Sequence, residues 1–208
     1  MVKKEYEIKL TASKKMLEKI EQIPGFLNWD IKEGKGKYLV SHYFDTEKFD
    51  LLYNNMAYRT REEDGRNVAT LKENGILKNG IFIRDEFEEI LRNSEDVTKA
   101  GFLNKCFPQI LEITKETPLK EVLIVDNERH ILHLEKDDSL IEASLDFLHF
   151  MLGKRKVAYN EIELELKNGC EEDLLECASF LKLNFHLFSA GASKYEMGLR
   201  SFNLIPLL

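Results

Sequence analysis

An α+β fold dominated by an antiparallel sheet or barrel, with helices over part of its outside, is what this 208-residue sequence predicts. Three observations carry that prediction. Segments whose apolar residues fall on every second position outnumber those with helical spacing. Short turn signals separate them: Asp64-Gly65, Asn74-Gly75 and Asn79-Gly80 suit hairpins, and Asp137-Asp138-Ser139 is a further turn. Helical periodicity is confined to three separate stretches, which favours antiparallel strand pairing over alternating strands and helices.

The elements follow in order. Residues 5–10 alternate charged and apolar side chains, which predicts a strand; Met16, Leu17, Ile20 and Ile23 then have helical spacing. Thr11 or Ser13 can cap that helix, and Pro24-Gly25 ends it. Strands are expected at 37–45, 57–62, 67–72 and 80–89. From 94 to 117 a helical or irregular cover can bury Val97, Phe102, Leu103 and Phe107 before Pro108 and Pro118 interrupt it. Strands resume at 119–127, 129–136, 140–147 and 156–167. A helix at 171–183 places Leu174, Leu175, Ala178 and Leu181 on one side, and a tail containing SAGASKYEMGL follows. No repeat of fixed period occurs.

Composition predicts a single domain over 1–208: 43% hydrophobic and 32% charged residues with 4 prolines is ordinary globular usage. No apolar stretch approaches the roughly 20 residues that span a bilayer, and no apolar signal region follows the first lysines. A cytoplasmic protein without membrane attachment is therefore expected. Cys106, Cys170 and Cys177 lack metal-ligand spacing and suit a reducing compartment; Cys170 and Cys177, seven apart on one predicted helix, are expected to pack in the core. The net charge of −7 weighs against nucleic-acid binding. An anionic ligand would need a locally basic pocket.

Splitting each strand into its two faces indicates where such a pocket lies. Glu5, Glu7 and Lys9 oppose Tyr6, Ile8 and Leu10; Glu161, Glu163 and Glu165 oppose Ile162, Leu164 and Leu166. Arg59 shares a face with Arg61, Thr70 with Lys72, Arg84 with Glu86 and Glu88, and Glu142 with Ser144 and Asp146. Any one such strand is accounted for by a solvated sheet face. Together they are less ordinary, because like charges so placed repel unless a counterion or ligand lies between them. Clustered carboxylates suit Mg²⁺ or Mn²⁺, and clustered Arg and Lys suit phosphate oxygens. Both sets on one surface point to a metal–polyphosphate site.

Glu5-Tyr6-Glu7-Ile8-Lys9 resembles the ExExK signature of the CYTH superfamily, the triphosphate tunnel metalloenzymes. The resemblance continues in order along nearly the whole chain through HYFDT (42–46), YRTR, ATLK, RDEFE, Arg129, IEASLD ending at Asp146, EIELEL (161–166) and SKYEMG (193–198). It implies an eight-stranded antiparallel barrel with helices packed outside and a charged tunnel inside. Within that tunnel Glu5, Glu7, Glu161, Glu163 and Glu165 are implied to bind Mg²⁺ or Mn²⁺. Lys9, Arg59, Arg61, Lys72, Arg84, Arg129 and Lys194 are implied to line a triphosphate. Lys9 and Tyr43 are the candidate catalytic residues. Tyr43 either orients water or a leaving group or is a hydrogen-bonding core tyrosine; Asp146 either binds a second metal or orients an arginine. Glu86 and Glu88 are expected to pair with neighbouring arginines, and His42, His130, His133, His149 and His186 have no ligand spacing. His133 could face the tunnel beside Arg129, but a surface or core position is the stronger expectation.

The motifs look most like those of bacterial inorganic triphosphatases, although those often carry a further helical domain that these 208 residues lack. The expected activity is metal-dependent hydrolysis of inorganic triphosphate to pyrophosphate and phosphate. A class IV adenylate cyclase, a thiamine or nucleoside triphosphatase, and a non-catalytic polyphosphate-binding module are the alternatives, since fold alone does not choose among them. Retention of two acidic strands favours an enzyme, because anion binding needs the cations but not five glutamates. A homodimer is expected only by family analogy.

Overall fold

The computed structural model describes residues 3–63, 65–92, 95–115 and 117–206. Strand β1 (Lys3–Thr11) leads into α1 (Lys14–Ile20), then β2 (Gly25–Phe26) and β3 (Trp29–Glu33). Next come β4 (Lys37–Asp45), α2 (Asp50–Tyr53), β5 (Ala57–Glu63), β6 (Arg66–Lys78) and β7 (Ile81–Ile90). Helices α3 (Ala100–Cys106) and α4 (Pro108–Thr114) precede the long strands β8 (Lys120–Lys136), β9 (Ser139–Leu152) and β10 (Arg155–Asn168). Helix α5 (Glu171–Phe185), β11 (Phe188–Ser189) and α6 (Lys194–Ser201) complete the described elements.

Eight strands close a barrel in the order β8-β4-β5-β6-β7-β1-β10-β9, with β9 pairing back onto β8. Every pairing is antiparallel. Closure satisfies all the backbone edges that an open sheet would leave bare. Among the described residues no helix is long and apolar enough to cross a membrane.

Alternation sends apolar side chains outward and charged ones inward, so the helices cover the outside. Ser13 caps α1 by accepting from the Met16 amide at 3.3 Å. Leu17 and Ile20 of α1 and Leu174, Cys177, Ala178 and Leu181 of α5 bury Ile8, Leu10, Ala143, Leu145, Ile162 and Leu164. Helices α2 to α4 cover the outer face of β5 and β6, where Tyr58, Ala69 and Leu71 meet Leu51, Leu103, Phe107 and Ile110. The third cluster lies inside. Toward one end the inward face turns apolar at Tyr43, Leu123, Val125, Leu148 and Phe150, and α6 packs into it through Tyr195 and Leu199, with Phe202 following. Gly198 permits that approach, since a Cβ there would run into Leu123 and meet Phe150 at 3.0 Å.

Several expectations need correcting. Residues 119–127 and 129–136 belong to one strand, because Asn127 and Glu128 stay in register with both β4 and β9. Asn74-Gly75 is a bulge within β6, between Glu73 and Ile76, and no hairpin turn; Asn74 takes the left-handed conformation at φ 54°. Asn79-Gly80 is the true turn, with φ 53° and 84° suiting a type I′ hairpin. Asp64 of the Asp64-Gly65 signal and Ser94 at the start of the 94–117 cover lie outside the described residues. Cys177 is buried as expected, but Cys170 sits exposed at the N-cap of α5. Helices α2 and α6 were not anticipated: α2 is a single turn, and the helical register of α6 carries charged residues that mask its apolar face.

Candidate functional site

Inside the barrel is a cavity of about 390 Å³, lined by Glu5, Glu7, Lys9, Tyr43, Arg59, Arg61, Lys72, Arg84, Arg129, Glu163, Glu165 and Lys194. Asp146 and Glu161, both fully buried, lie behind Lys194 and outside that lining. Thus all the candidate residues reach the interior, but they fall into distinct groups.

The acidic group follows from register. Glu161 pairs with Asp146 between β10 and β9, and Lys9 pairs with Glu163 between β1 and β10. Carboxylate oxygens of Asp146, Glu161 and Glu163 lie within 4.8 Å of one another. Lys194 Nζ stands among them, 2.7 Å from Asp146 and from Glu163 and in contact with Glu161. Arg129 forms a fork on Asp146, with Nε to Oδ1 and Nη2 to Oδ2 both 2.7 Å, and reaches Glu163 at 2.6 Å. Asn127 donates to Asp146 Oδ1 at 2.9 Å, and Lys9 contacts Glu163.

Burial pushes all three carboxyls up, and the neighbouring cations decide the outcome. Arg129 and Lys194 bring Asp146 below its ordinary value, and Lys194, Lys9 and Arg129 bring Glu163 well below it. Glu161 stays raised: burial, reinforced by Glu163 and Asp146, outweighs Lys194 and Lys9. Lys194 is the one ion-pair partner of Glu161 among the described residues, and it is shared with Asp146 and Glu163. Three buried or half-buried carboxylates around a single lysine are a donor set that fits a divalent cation.

A second group sits on β1, β6 and β7. Glu5 accepts from Lys72 Nζ at 2.7 and 2.8 Å and lies 3.5 Å from Arg84, which also pairs with Glu7. Burial opposes ionisation of Glu5, yet Lys72 and Arg84 pull it down to about 2. Glu86 pairs with Lys72 at 3.3 Å, not with an arginine as expected, because β6 and β7 place the two directly opposite. Glu165 does not join the acidic triad; at the rim it meets Lys3 at 2.8 Å and Lys167 at 2.6 Å. His133 shares the inner strand face with Arg129 and is partly exposed there, opposite Glu142 in register and 4.0 Å from it.

Arg59 and Arg61, next to β4 on β5, are different. No carboxylate lies within ion-pairing distance of either among the described residues, and Arg61 Nε donates only to Ser41 Oγ, at 2.9 Å. Burial together with Arg59 and Arg129 pulls Arg61 down to about 10. Tyr43 stands directly opposite Arg59 and stacks on Tyr195, with ring centroids 5.3 Å apart and planes at 4°. Burial raises the Tyr43 hydroxyl, but Arg59, Arg61 and Lys194 outweigh it and leave it lowered. The site therefore has a cation-rich side with no carboxylate in direct contact among the described residues, facing an acidic side whose three carboxylates share Lys194.

A CYTH domain model matches residues 3–196, nearly the whole chain. The chain belongs to the CYTH family. An inorganic triphosphatase of Haemophilus influenzae is 28% identical over 194 residues, which is 93% of this chain and 54% of that protein. The CYTH chain thus spans about half the length of that relative. The structure of Hippeastrum HpAC1, described as revealing a dominant triphosphatase activity, aligns with TM-score 0.59 at 22% identity over 97% of this chain and 98% of that one. A Bacillus halodurans protein aligns with TM-score 0.62 at 20% identity, over 97% and 98% of the two chains. Both show the same fold.

The CYTH interior also holds residues that sequence reasoning missed. Asp45, fully buried, accepts from the amides of Thr46, Leu51 and Leu52 at 2.7, 2.9 and 3.1 Å and from Tyr195 Oη at 2.8 Å. It ties the start of α2 to α6 and so fixes the ring against which Tyr43 stacks. Its place in the quoted HYFDT stretch was the available signal, but alternation assigns it only to the inner face.

Proposed function

We propose that this chain is a hydrolase that holds a triphosphate group in its barrel and, with Mg²⁺ or Mn²⁺, cleaves inorganic triphosphate to pyrophosphate and phosphate. The carrying observation is the pair Arg59 and Arg61: a half-buried and a buried guanidinium with no carboxylate in contact among the described residues, facing three clustered carboxylates that share Lys194. A polyanion that brings a divalent cation satisfies both sides at once. Membership of the family and the similarity to an inorganic triphosphatase support the same reading.

In this reading Arg59 and Arg61 take the terminal phosphoryl group, and Lys9, Lys72, Arg84, Arg129 and Lys194 take the remaining phosphate oxygens. Glu5, Glu7, Asp146, Glu161 and Glu163 are the carboxylates able to hold the ion, with Glu165 at the rim. When bound, a divalent ion neutralises charge that develops on the phosphoryl oxygens. Tyr43, with its hydroxyl acidified by Arg59, Arg61 and Lys194, offers a hydrogen bond to the attacking water or the departing oxygen. Lys9, fully buried against Glu7 and Glu163, holds a bridging oxygen in place.

Phosphate release from inorganic triphosphate, measured with Mg²⁺, with Mn²⁺ and with chelator, tests the proposal. Release that depends on the ion is expected. Tight binding of triphosphate without release under any condition would instead identify a polyphosphate-binding module.

A further inference from the structure

Strand β4 turns every second residue inward, and Ser41, Tyr43 and Asp45 form one buried row along it. Register sets Ser41 directly opposite Arg61 and Tyr43 directly opposite Arg59. Each of these arginines therefore meets a hydroxyl side chain across the strand pair, where most other cations of the barrel meet a carboxylate. Tyr43 lines the cavity and Asp45 holds α2 to α6, but Ser41 does neither. It is 2% exposed, stands outside the cavity lining, and accepts from Arg61 Nε at 2.9 Å. That contact decides which way the guanidinium points. A guanidinium donates through one N–H on Nε and through the remainder on its two Nη nitrogens. With Nε committed to Ser41, the Nη fork is what Arg61 presents to the cavity that it lines.

We infer that Ser41 is a positioning residue, whose hydroxyl holds Arg61 by Nε and so aims the Nη fork at the phosphoryl oxygens of a bound triphosphate. The inference rests on the proposed placement of a triphosphate against Arg59 and Arg61. Two physical arguments support a hydroxyl at this place. Arg59 and Arg129 repel Arg61, so without the bond to Ser41 nothing in contact with the guanidinium keeps it from turning away from them. A carboxylate would hold it as firmly, but it would neutralise the charge and compete with phosphate for the same donors. A neutral hydroxyl fixes the direction and leaves the charge for the anion. Ser41 thus acts through Arg61 and touches no ligand itself, which gives it a signature that a merely structural serine lacks: its effect on binding must vanish when Arg61 is replaced.

The test is a double-mutant cycle on the full chain: wild type, Ser41→Ala, Arg61→Gln and the two combined, with Ser41→Thr as the conservative variant. Calorimetry with metal-free inorganic triphosphate gives affinity, and phosphate release with Mg²⁺ gives kcat/KM. Ser41→Ala should lower both about tenfold, and Ser41→Thr, which keeps the hydroxyl, should stay within about twofold of wild type. In the Arg61→Gln background the Ser41→Ala change should shrink to less than about twofold. No loss in Ser41→Ala, a loss that Ser41→Thr does not recover, or one of equal size in the Arg61→Gln background would overturn the role of Ser41. The expected cycle in affinity, with no phosphate released by any of the five proteins, supports Ser41 and sinks the hydrolase reading. Phosphate release by the wild type with additive losses keeps hydrolysis and removes Ser41.

Discussion

Arg129 grips Asp146 through two parallel hydrogen bonds of 2.7 Å, inside a barrel where Asp146 is fully buried. Removing Asp146 leaves Arg129 with Glu163 alone and takes one of the three carboxylates from Lys194, in a low-dielectric interior. Asp146→Ala is expected to cost about 3–5 kcal/mol of folding stability, the range for breaking a buried pair. Denaturant unfolding should show it as a lowered midpoint with an unchanged slope.

Arg61 should behave in the opposite way. With its guanidinium pulled down to about 10 by burial and by Arg59 and Arg129, its charge opposes folding. Arg61→Gln is expected to raise the melting temperature, by about 2–4 °C for each kcal/mol of repulsion relieved, while weakening triphosphate binding more than tenfold. A variant that melts lower yet binds normally would remove Arg61 from the anion site.

Acid should loosen the barrel over a defined window. Glu5, Asp146 and Glu163 are held below their ordinary values by neighbouring cations, so they contribute stability above about pH 4.5 that is lost as pH falls toward about 2, the value of Glu5. Glu161, raised by burial, has the opposite sign and partly offsets the loss. Thermal melts from pH 6 down to pH 2 should therefore fall most steeply below 4.5, and a flat profile there would contradict the ion-pair assignment.

Glu161→Gln separates the two halves of the site. It removes the carboxylate whose ionisation burial opposes most, while Lys194 keeps Asp146 and Glu163, both 2.7 Å away. Calorimetry should find Mg²⁺ or Mn²⁺ binding weakened at least tenfold, with metal-free triphosphate binding kept or strengthened. Unchanged ion affinity would place the metal elsewhere.

Gly198→Ala probes the α6 seat. A methyl group there meets Leu123 and Phe150, so overpacking should cost about 1–3 kcal/mol despite the better helix propensity of alanine. A stabilised variant would mean that the helix has room to shift.

Much of this was legible because alternation is a rigid rule. The bounds of β4 match the expected 37–45, and the two-faced reading of β1 and β10 put every predicted carboxylate on the inner face. Where local chemistry has two outlets the sequence is silent: Asn-Gly serves a turn at 79–80 and a bulge at 74–75, and only the pairing partners decide. Charge balance is equally non-local. Seven cations look alike in the sequence, yet Arg84, Arg129 and Lys72 meet glutamates or aspartate on strands one or two places along the barrel wall while Arg59 and Arg61 do not. The placement of Lys194 depends on α6 packing into the barrel end, which no strand pattern reports.

That lysine makes the interior a set of internal competitors. An anion that draws Lys194 away strips Asp146, Glu161 and Glu163 of their shared counterion, and a cation that settles among those carboxylates releases Lys194 for an anion. Each ligand then improves the site for the other by the same factor, as thermodynamic reciprocity requires. On the proposed reading, the barrel would take a cation and an anion together more readily than either alone.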